Sequence, residues 1–116
     1  MNRRAYGDAG EDRAARYLAD GGAEIIARNY SCRGGEIDII ARLGGALIFV
    51  EVKSRSTLKF GTGAEAVTLA KQRRVCRAAL HYLGAAGAHD SAIRFDVIEV
   101  TPSSIRAIEG AFDYVE

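Results

Sequence analysis

The chain has 116 residues, 48% of them hydrophobic and 27% charged, with a net charge of +1. That length supports one domain, residues 1–116, with a modest core. No apolar run of roughly 18 residues and no basic-then-apolar leader occurs, so neither a membrane span nor a secretory signal is predicted and a cytoplasmic location is expected. Cys32 and Cys76 match no CxxC spacing and are too few for a disulfide framework, which predicts free thiols in a reducing compartment. Charge is distributed unevenly: residues 1–80 carry 14 Lys/Arg against 9 Asp/Glu, and residues 81–116 carry 2 against 6. A basic first part is compatible with phosphate contacts and also with an ordinary mixed surface.

The first predicted element is a helix from about residue 6 or 8 to residue 20, ended by Gly21-Gly22. Ala14, Tyr17 and Leu18 form its apolar side, Asp8 and Asp12 are favourable charges near its N-terminus, and Glu11 falls at the edge of the core-facing stripe. A strand over residues 24–29 follows, with Ile25, Ile26 and Ala27 suited to burial on both faces. Arg28, Asn29, Tyr30 and Arg33 then supply groups that grip phosphates and sugars. Tyr30 is placed either to stack on a base or to close the core beneath the next strands.

Residues 36–43 and 46–53 are apolar-rich runs flanking Gly44-Gly45, a pair that takes the positive φ angles of a two-residue hairpin turn. With Leu43 facing Ala46, Ile39 meets Val50, Asp38 meets Glu51 and Glu36 meets Lys53. Alternation then puts Ile37, Ile39, Ala41 and Leu43 on one buried face with Ala46, Ile48, Val50 and Val52. Two carboxylates placed opposite one another repel, at about 1 kcal/mol in water and about 4 at an effective dielectric of 20. A hard divalent cation offsets this, and Mg²⁺ is usually held by one or two carboxylates plus waters and phosphate oxygens. Lys53, two residues beyond Glu51 on the same face, is placed to orient a water or to stabilise charge on a phosphate. Asp38, Glu51 and Lys53 thus form a phosphodiester-cleaving constellation.

Residues 54–63 are polar and glycine-bearing, and read either as a substrate clamp or as a plain connection; Arg55 is the loop residue expected on phosphate. A second helix is predicted from about residue 64 to 83, stopped by Gly84, with Ala66, Leu69, Cys76, Ala79, Leu80 and Leu83 as its apolar stripe. Lys71, Arg73, Arg74 and Arg77 crowd its middle turns, where mutual repulsion brings no benefit to the fold, so they are candidate nucleic-acid contacts; a solvated face is the alternative. His81 and His89 read as structural or surface residues. Residues 92–100 alternate as a strand with Phe95, Val97 and Glu99 on one side, and Arg94 and Asp96 as a structural pair on the other. Residues 101–104 form a turn, residues 105–109 a short last strand, and Ala111-Phe112 a plug. The order α-β-β-β-α-β-β implies an α/β sandwich with a mixed central sheet flanked by helices.

Gly35-Glu36-Ile37-Asp38 followed by Phe49-Val50-Glu51-Val52-Lys53-Ser54-Arg55 resembles the signature of the YraN-like family, within the PD-(D/E)xK endonuclease-like superfamily that includes Holliday-junction resolvases. The stretch at residues 7–18, Arg28-Asn29-Tyr30, Lys71-Gln72 and Arg94-Phe95-Asp96-Val97 fit the same pattern, so the resemblance covers nearly the whole chain. It implies a restriction-endonuclease-like fold and a nuclease acting on DNA, with branched or structured substrates expected. Asp38 and Glu51 would hold Mg²⁺ or Mn²⁺ with the Val52 carbonyl, and Lys53 would position the water. Glu11 matches a helix-1 glutamate that joins the metal site in the resolvase-like relatives. Those relatives work as dimers, so a homodimer is an expectation, although no exposed apolar stripe in the sequence marks its interface. Two alternatives stay open, a non-cutting nucleic-acid-binding module on the same fold and a protein-assembly factor.

Overall fold

Five strands and two helices follow one another as α-β-β-β-α-β-β in a computed structural model, which describes residues 3–56 and 67–116, with side chains from residue 9 onward. They are α1 (Arg3–Asp20), β1 (Glu24–Cys32), β2 (Gly35–Leu43), β3 (Ala46–Ser54), α2 (Leu69–Ala86), β4 (Ala92–Val100) and β5 (Ile105–Phe112). The strands lie in sequence order in one mixed sheet, with β3 and β4 parallel and every other pair antiparallel. A parallel pair needs a crossover, and α2 lies in the one between β3 and β4. Among the described residues no helix is long and apolar enough to cross a membrane.

Each face of the sheet is covered by one helix. On one side Ala14, Leu18 and Ala23, at and just beyond α1, pack on Ile39, Ala41, Ile48, Val50, Ile98 and Val100. On the other, Val75, Cys76, Ala78, Ala79 and Leu83 of α2 pack on Ile37, Ile40, Leu47, Phe49, Phe95 and Val97. Each fully buried aliphatic or aromatic side chain contributes about 1.5–3 kcal/mol, so the sheet depends on both helices.

Local chemistry sets the helix ends. The Ala23 and Gly22 N–H groups donate to Leu18 and Ala19 carbonyls, each at 3.0 Å, and Gly22 takes the left-handed φ of 97° that this closure needs. Thr68 caps α2 by accepting from the Lys71 N–H at 3.2 Å, so the helix begins at Leu69 rather than near residue 64. It runs through Gly84, at an interior cost of about 1 kcal/mol, and stops where Gly87 turns left-handed at φ 65°. Its buried side carries Gln72, Val75, Cys76, Ala79 and Leu83, while Leu69, Leu80 and, on α1, Tyr17 are exposed, contrary to the predicted stripes. The expected clamp at 54–63 falls mostly outside the described residues, as do Ala66 and the Asp8 side chain.

The hairpin register holds from Ile39–Val50 to Leu43–Ala46, closed by Gly44 and Gly45 at φ 56° and 87°. Beyond Ile39–Val50 the β2–β3 ladder stops, so the expected rung of Glu36 with Lys53 does not form. Ile37 packs with the α2 layer instead of sharing the α1 face with Ile39. At this same open end β1 continues past Asn29 to Cys32, pairing with Gly35–Ile37, while β5 extends the other way to Phe112, whose ring stacks on Phe95 at 5.1 Å.

Candidate active site

The failure of the ladder beyond Ile39 makes the site. Asp38 is half-buried on the rung where β2 leaves β3, and its Oδ2 accepts the Val52 N–H at 2.8 Å, standing where a strand carbonyl would otherwise stand. Because the N–H and C=O of one residue in a strand point toward the same neighbour, the Val52 carbonyl also points to the Asp38 side. Three oxygen groups therefore gather at the open end of the hairpin: the Asp38 carboxyl, the Glu51 carboxyl and the Val52 carbonyl.

Glu51 is 3% exposed. Burial first, then the hydrogen bond and like charge of Asp38, push its carboxyl up to about 9 against the pull of Lys71 and Lys53. Among the described residues its Oε2 is buried without a hydrogen bond, and the Lys71 ammonium lies 3.4 Å from it. A buried carboxylate oxygen lacking a hydrogen bond, beside a second carboxylate, is a costly arrangement in a metal-free protein and a good one for a hard cation. The donor set is all oxygen, which suits Mg²⁺ or Mn²⁺. Among the described residues there is no group of three or more His, Cys, Asp or Glu side chains able to hold a metal. The pair, a carbonyl, waters and substrate oxygens would have to make up the shell.

Lys53 lies on the same face as Glu51 and is half-buried, and its ammonium forms no hydrogen bond or ion pair with a described residue. Its rung partner on β4 is Glu99, a natural counter-charge. Glu99, however, is buried and ion-paired with two arginines: Arg106 hydrogen-bonds its Oε1 at 2.6 Å, and Arg55 lies 3.2 Å from Oε2 without a hydrogen bond. These two take the acid, and no described acid lies within ion-pair distance of the lysine. Arg55 is thus engaged by Glu99 instead of being held out toward solvent. An acid on the Phe95–Val97 face was the available sequence signal for such partners, since a buried charge demands them; Arg106 carried no local signal.

Glu36, expected on Lys53, belongs to α2: Lys71 Nζ lies 2.6 Å and Arg74 Nη2 3.6 Å from its Oε1. This contact holds Glu36 below the usual carboxylate range, chiefly through the Lys71 hydrogen bond. Burial alone would lower the Lys71 ammonium, but Glu36, Glu51 and Asp38 together raise it. Lys71 is therefore a bridge between the acid pair and the helix. The backbone of α2 comes close here because residue 35 is glycine; a Cβ there would sit 2.6 Å from the Arg74 carbonyl oxygen. Arg73 donates to the Glu116 carbonyl at 3.1 Å, and Arg77 drapes over Gly34. Both are exposed, as is Arg74, so α2 presents a basic outer face beside the site.

Glu11 is buried on α1, where the Arg28 Nε donates to it at 3.0 Å; Arg28 also binds Asp12 at 2.7 Å. Gly10, next to Glu11, packs tightly on Ser54 at the end of β3. Tyr30 closes the core, edge-on to Tyr82 with ring centroids 5.5 Å apart, and its hydroxyl meets His81. Gln72 is buried and donates to the Val67 carbonyl at 3.1 Å. Asp96 binds Arg94 through both oxygens, as the sequence pattern implied.

Residues 10–100 match the model of the uncharacterised protein family UPF0102. A UPF0102 protein of Symbiobacterium thermophilum is 50% identical over 117 residues, covering 97% of this chain and 98% of that protein. One from Lachnoclostridium phytofermentans is 46% identical, covering 97% of each chain. One from Rhodococcus opacus is 52% identical over 96 residues, covering 83% of this chain and 81% of the other.

Proposed function

The chain belongs to the UPF0102, or YraN-like, family, and from the chemistry of its site we propose that it is a metal-dependent nuclease hydrolysing phosphodiester bonds in DNA. The observation that carries this reading is the buried Glu51 oxygen that has no hydrogen bond among the described residues, set against Asp38 and between the charges of Lys71 and Lys53. The PD-(D/E)xK resemblance of residues 35–38 and 49–55 points the same way.

Asp38, Glu51 and the Val52 carbonyl would hold Mg²⁺ or Mn²⁺, with Glu11 in an outer position. Such an ion supplies charge opposite a phosphate oxygen and lowers the pKa of a bound water. Lys53, which forms no ion pair with a described acid, donates a hydrogen bond to the attacking water or to the phosphate as its charge grows. Lys71 holds Glu51 and Glu36 in place and adds a fixed positive charge behind them. In the reaction the water oxygen bonds to phosphorus as the bond to one sugar oxygen breaks, and the proton released from water ends on the departing sugar hydroxyl. Arg73, Arg74 and Arg77 would contact the backbone of the duplex. A homodimer on branched DNA, in the cytoplasm, belongs to the same reading.

Calorimetric titration of Mn²⁺ into the wild type and Asp38→Asn tests the site, followed by cleavage of a panel that includes four-way junctions and flaps. Binding by the wild type alone is expected. Asp38→Ala, Glu51→Ala and Lys53→Ala should each lose at least about 10²-fold in cleavage while staying folded. Equal turnover by wild type and Glu51→Ala would sink the proposal. The exposed cations of α2 favour a second reading, a module that binds nucleic acid without cutting. Its mark would be gel-shift binding that survives chelation and no cleavage of any substrate.

A further inference from the structure

We infer that Asn29 is a positioning residue for Asp38: its left-handed backbone breaks β1 and β2 at a shared rung and turns the Asp38 carboxylate onto the Val52 amide. The geometric part stands on the strands alone. Its consequence for metal binding rests on the nuclease reading above.

Asn29, at φ 54°, is the one non-glycine residue with positive φ among the described residues. In an undisturbed strand the residues on either side of it would point to the same face. Instead Arg28 reaches Glu11 and Asp12 on α1, while Tyr30 packs against Tyr82 of α2. The neighbouring strand flips at the same place, since Ile39 belongs to the α1 layer and Ile37 to the α2 layer. The rungs Arg28–Ile39 and Tyr30–Ile37 pair normally, and between them Asn29 and Asp38 do not pair. One left-handed residue gives a strand this half-turn, in the manner of a bulge, and asparagine tolerates the conformation better than most side-chain-bearing residues.

Released from the rung, Asp38 uses its carboxylate in place of a ladder carbonyl. A cleft of about 200 Å³ lies at the break, between Asn29, Tyr30 and Ser31 on β1 and Glu36, Ile37 and Asp38 on β2. In an uninterrupted antiparallel ladder a β2 carbonyl, not a side chain, would accept the Val52 N–H.

The test compares Asn29→Gly, which adopts left-handed φ freely, with Asn29→Ala, which does not, by two measurements. In metal-free protein, the Val52 amide is followed by its NMR shift and hydrogen exchange; in the same samples, Mn²⁺ affinity is measured by calorimetry. Asn29→Gly should keep the Val52 shift and bind Mn²⁺ within about twofold of wild type. Asn29→Ala should move the shift, speed Val52 exchange and weaken Mn²⁺ by about tenfold. A Val52 amide unchanged in Asn29→Ala overturns the inference, as does Asn29→Gly impaired as badly as Asn29→Ala, which would make the amide side chain the active part. Should Asn29→Ala not fold, Asn29→Asp takes its place beside Asn29→Gly: both keep the Val52 shift if backbone conformation is what matters, and loss in either overturns it. A wild type that binds no Mn²⁺ would end the nuclease reading and leave the Val52 comparison to decide this one.

Discussion

Glu51 and Asp96 sit on two parallel neighbours of one sheet, 3% and 2% exposed, and differ in almost everything that surrounds them. Asp96 faces α1 and is answered on every side: Arg94 donates to both of its oxygens at 2.9 and 2.8 Å, and the Gly110 N–H donates at 3.0 Å where β5 bulges. Glu51 faces α2, shares its space with another acid, and keeps an oxygen without a hydrogen bond 3.4 Å from a lysine already bound to Glu36. Depth of burial is the same and the work is different. A satisfied buried acid holds two strands in register; one left unsatisfied where the fold had arginines to offer stores a cost that a ligand can remove.

Opposite stability effects of two matched substitutions would put this contrast to its hardest test. Asp96→Asn weakens a two-pronged charged contact and leaves Arg94 half-buried and underpaired, so it should cost about 2 kcal/mol at neutral pH. Glu51→Gln removes a group whose carboxyl is pushed up from the usual 4.5 to about 9. Between those values the folded wild type keeps a proton that the unfolded chain has released, so its stability is fullest below about 4.5 and declines as pH rises toward about 9. Glu51→Gln should flatten that decline, matching wild type near pH 4.5 and exceeding it at pH 8 by at least several degrees in Tm. Mn²⁺ should raise the Tm of wild type at pH 8 and leave that of Glu51→Gln unmoved. Thermal melts of the three proteins at both pH values read all of this, and a Glu51→Gln variant less stable than wild type at pH 8 would erase the distinction.

Glu99 sharpens the comparison, because it is a third buried acid whose partners serve the site indirectly. Arg106 and Arg55 hold it away from Lys53, its rung partner. Arg106→Ala should release Glu99 Oε1 to pair with the Lys53 ammonium and lower kcat about tenfold with little change in KM. Glu99→Gln in the Arg106→Ala background should restore most of the rate. A loss that the second substitution does not rescue would reduce Arg106 to a packing residue.

Much of this was legible along the chain, and the misses share a cause. Gly44-Gly45 and two alternating runs specify the hairpin register, because local steric rules need only local residues. They fail at Asp38, where the alternation is interrupted by a left-handed residue on the adjacent strand; Asn29 reads in sequence only as the end of β1. Glu36 was assigned to Lys53 by register and taken by Lys71 and Arg74, a contact between β2 and α2 that depends on how closely the helix approaches Gly35. The ends of α2 were written in Thr68 and Gly87, yet Gly84 looked like the earlier stop. Buried acids could be named from pattern alone, whereas which of them would be satisfied could not, since their partners come from other strands and helices.

The smallest effect separates the two faces of the molecule as surfaces for nucleic acid. Arg77 of α2, the helix whose Lys71 reaches Glu51, lies exposed over Gly34, and Arg16 is exposed on α1. Each is one cation near the outside of a helix, so net charge cannot distinguish them. If backbone phosphates run along the α2 side toward Asp38 and Glu51, Arg77→Glu removes about one phosphate contact. It should then weaken DNA binding several-fold at low salt and reduce the log–log salt slope by about 1. Arg16→Glu changes the overall charge equally and should alter affinity only by the small uniform amount that long-range attraction carries, with an unchanged slope. Filter binding at four salt concentrations in the presence of chelator distinguishes the outcomes, and equal slopes for the two variants would place the DNA elsewhere than on α2.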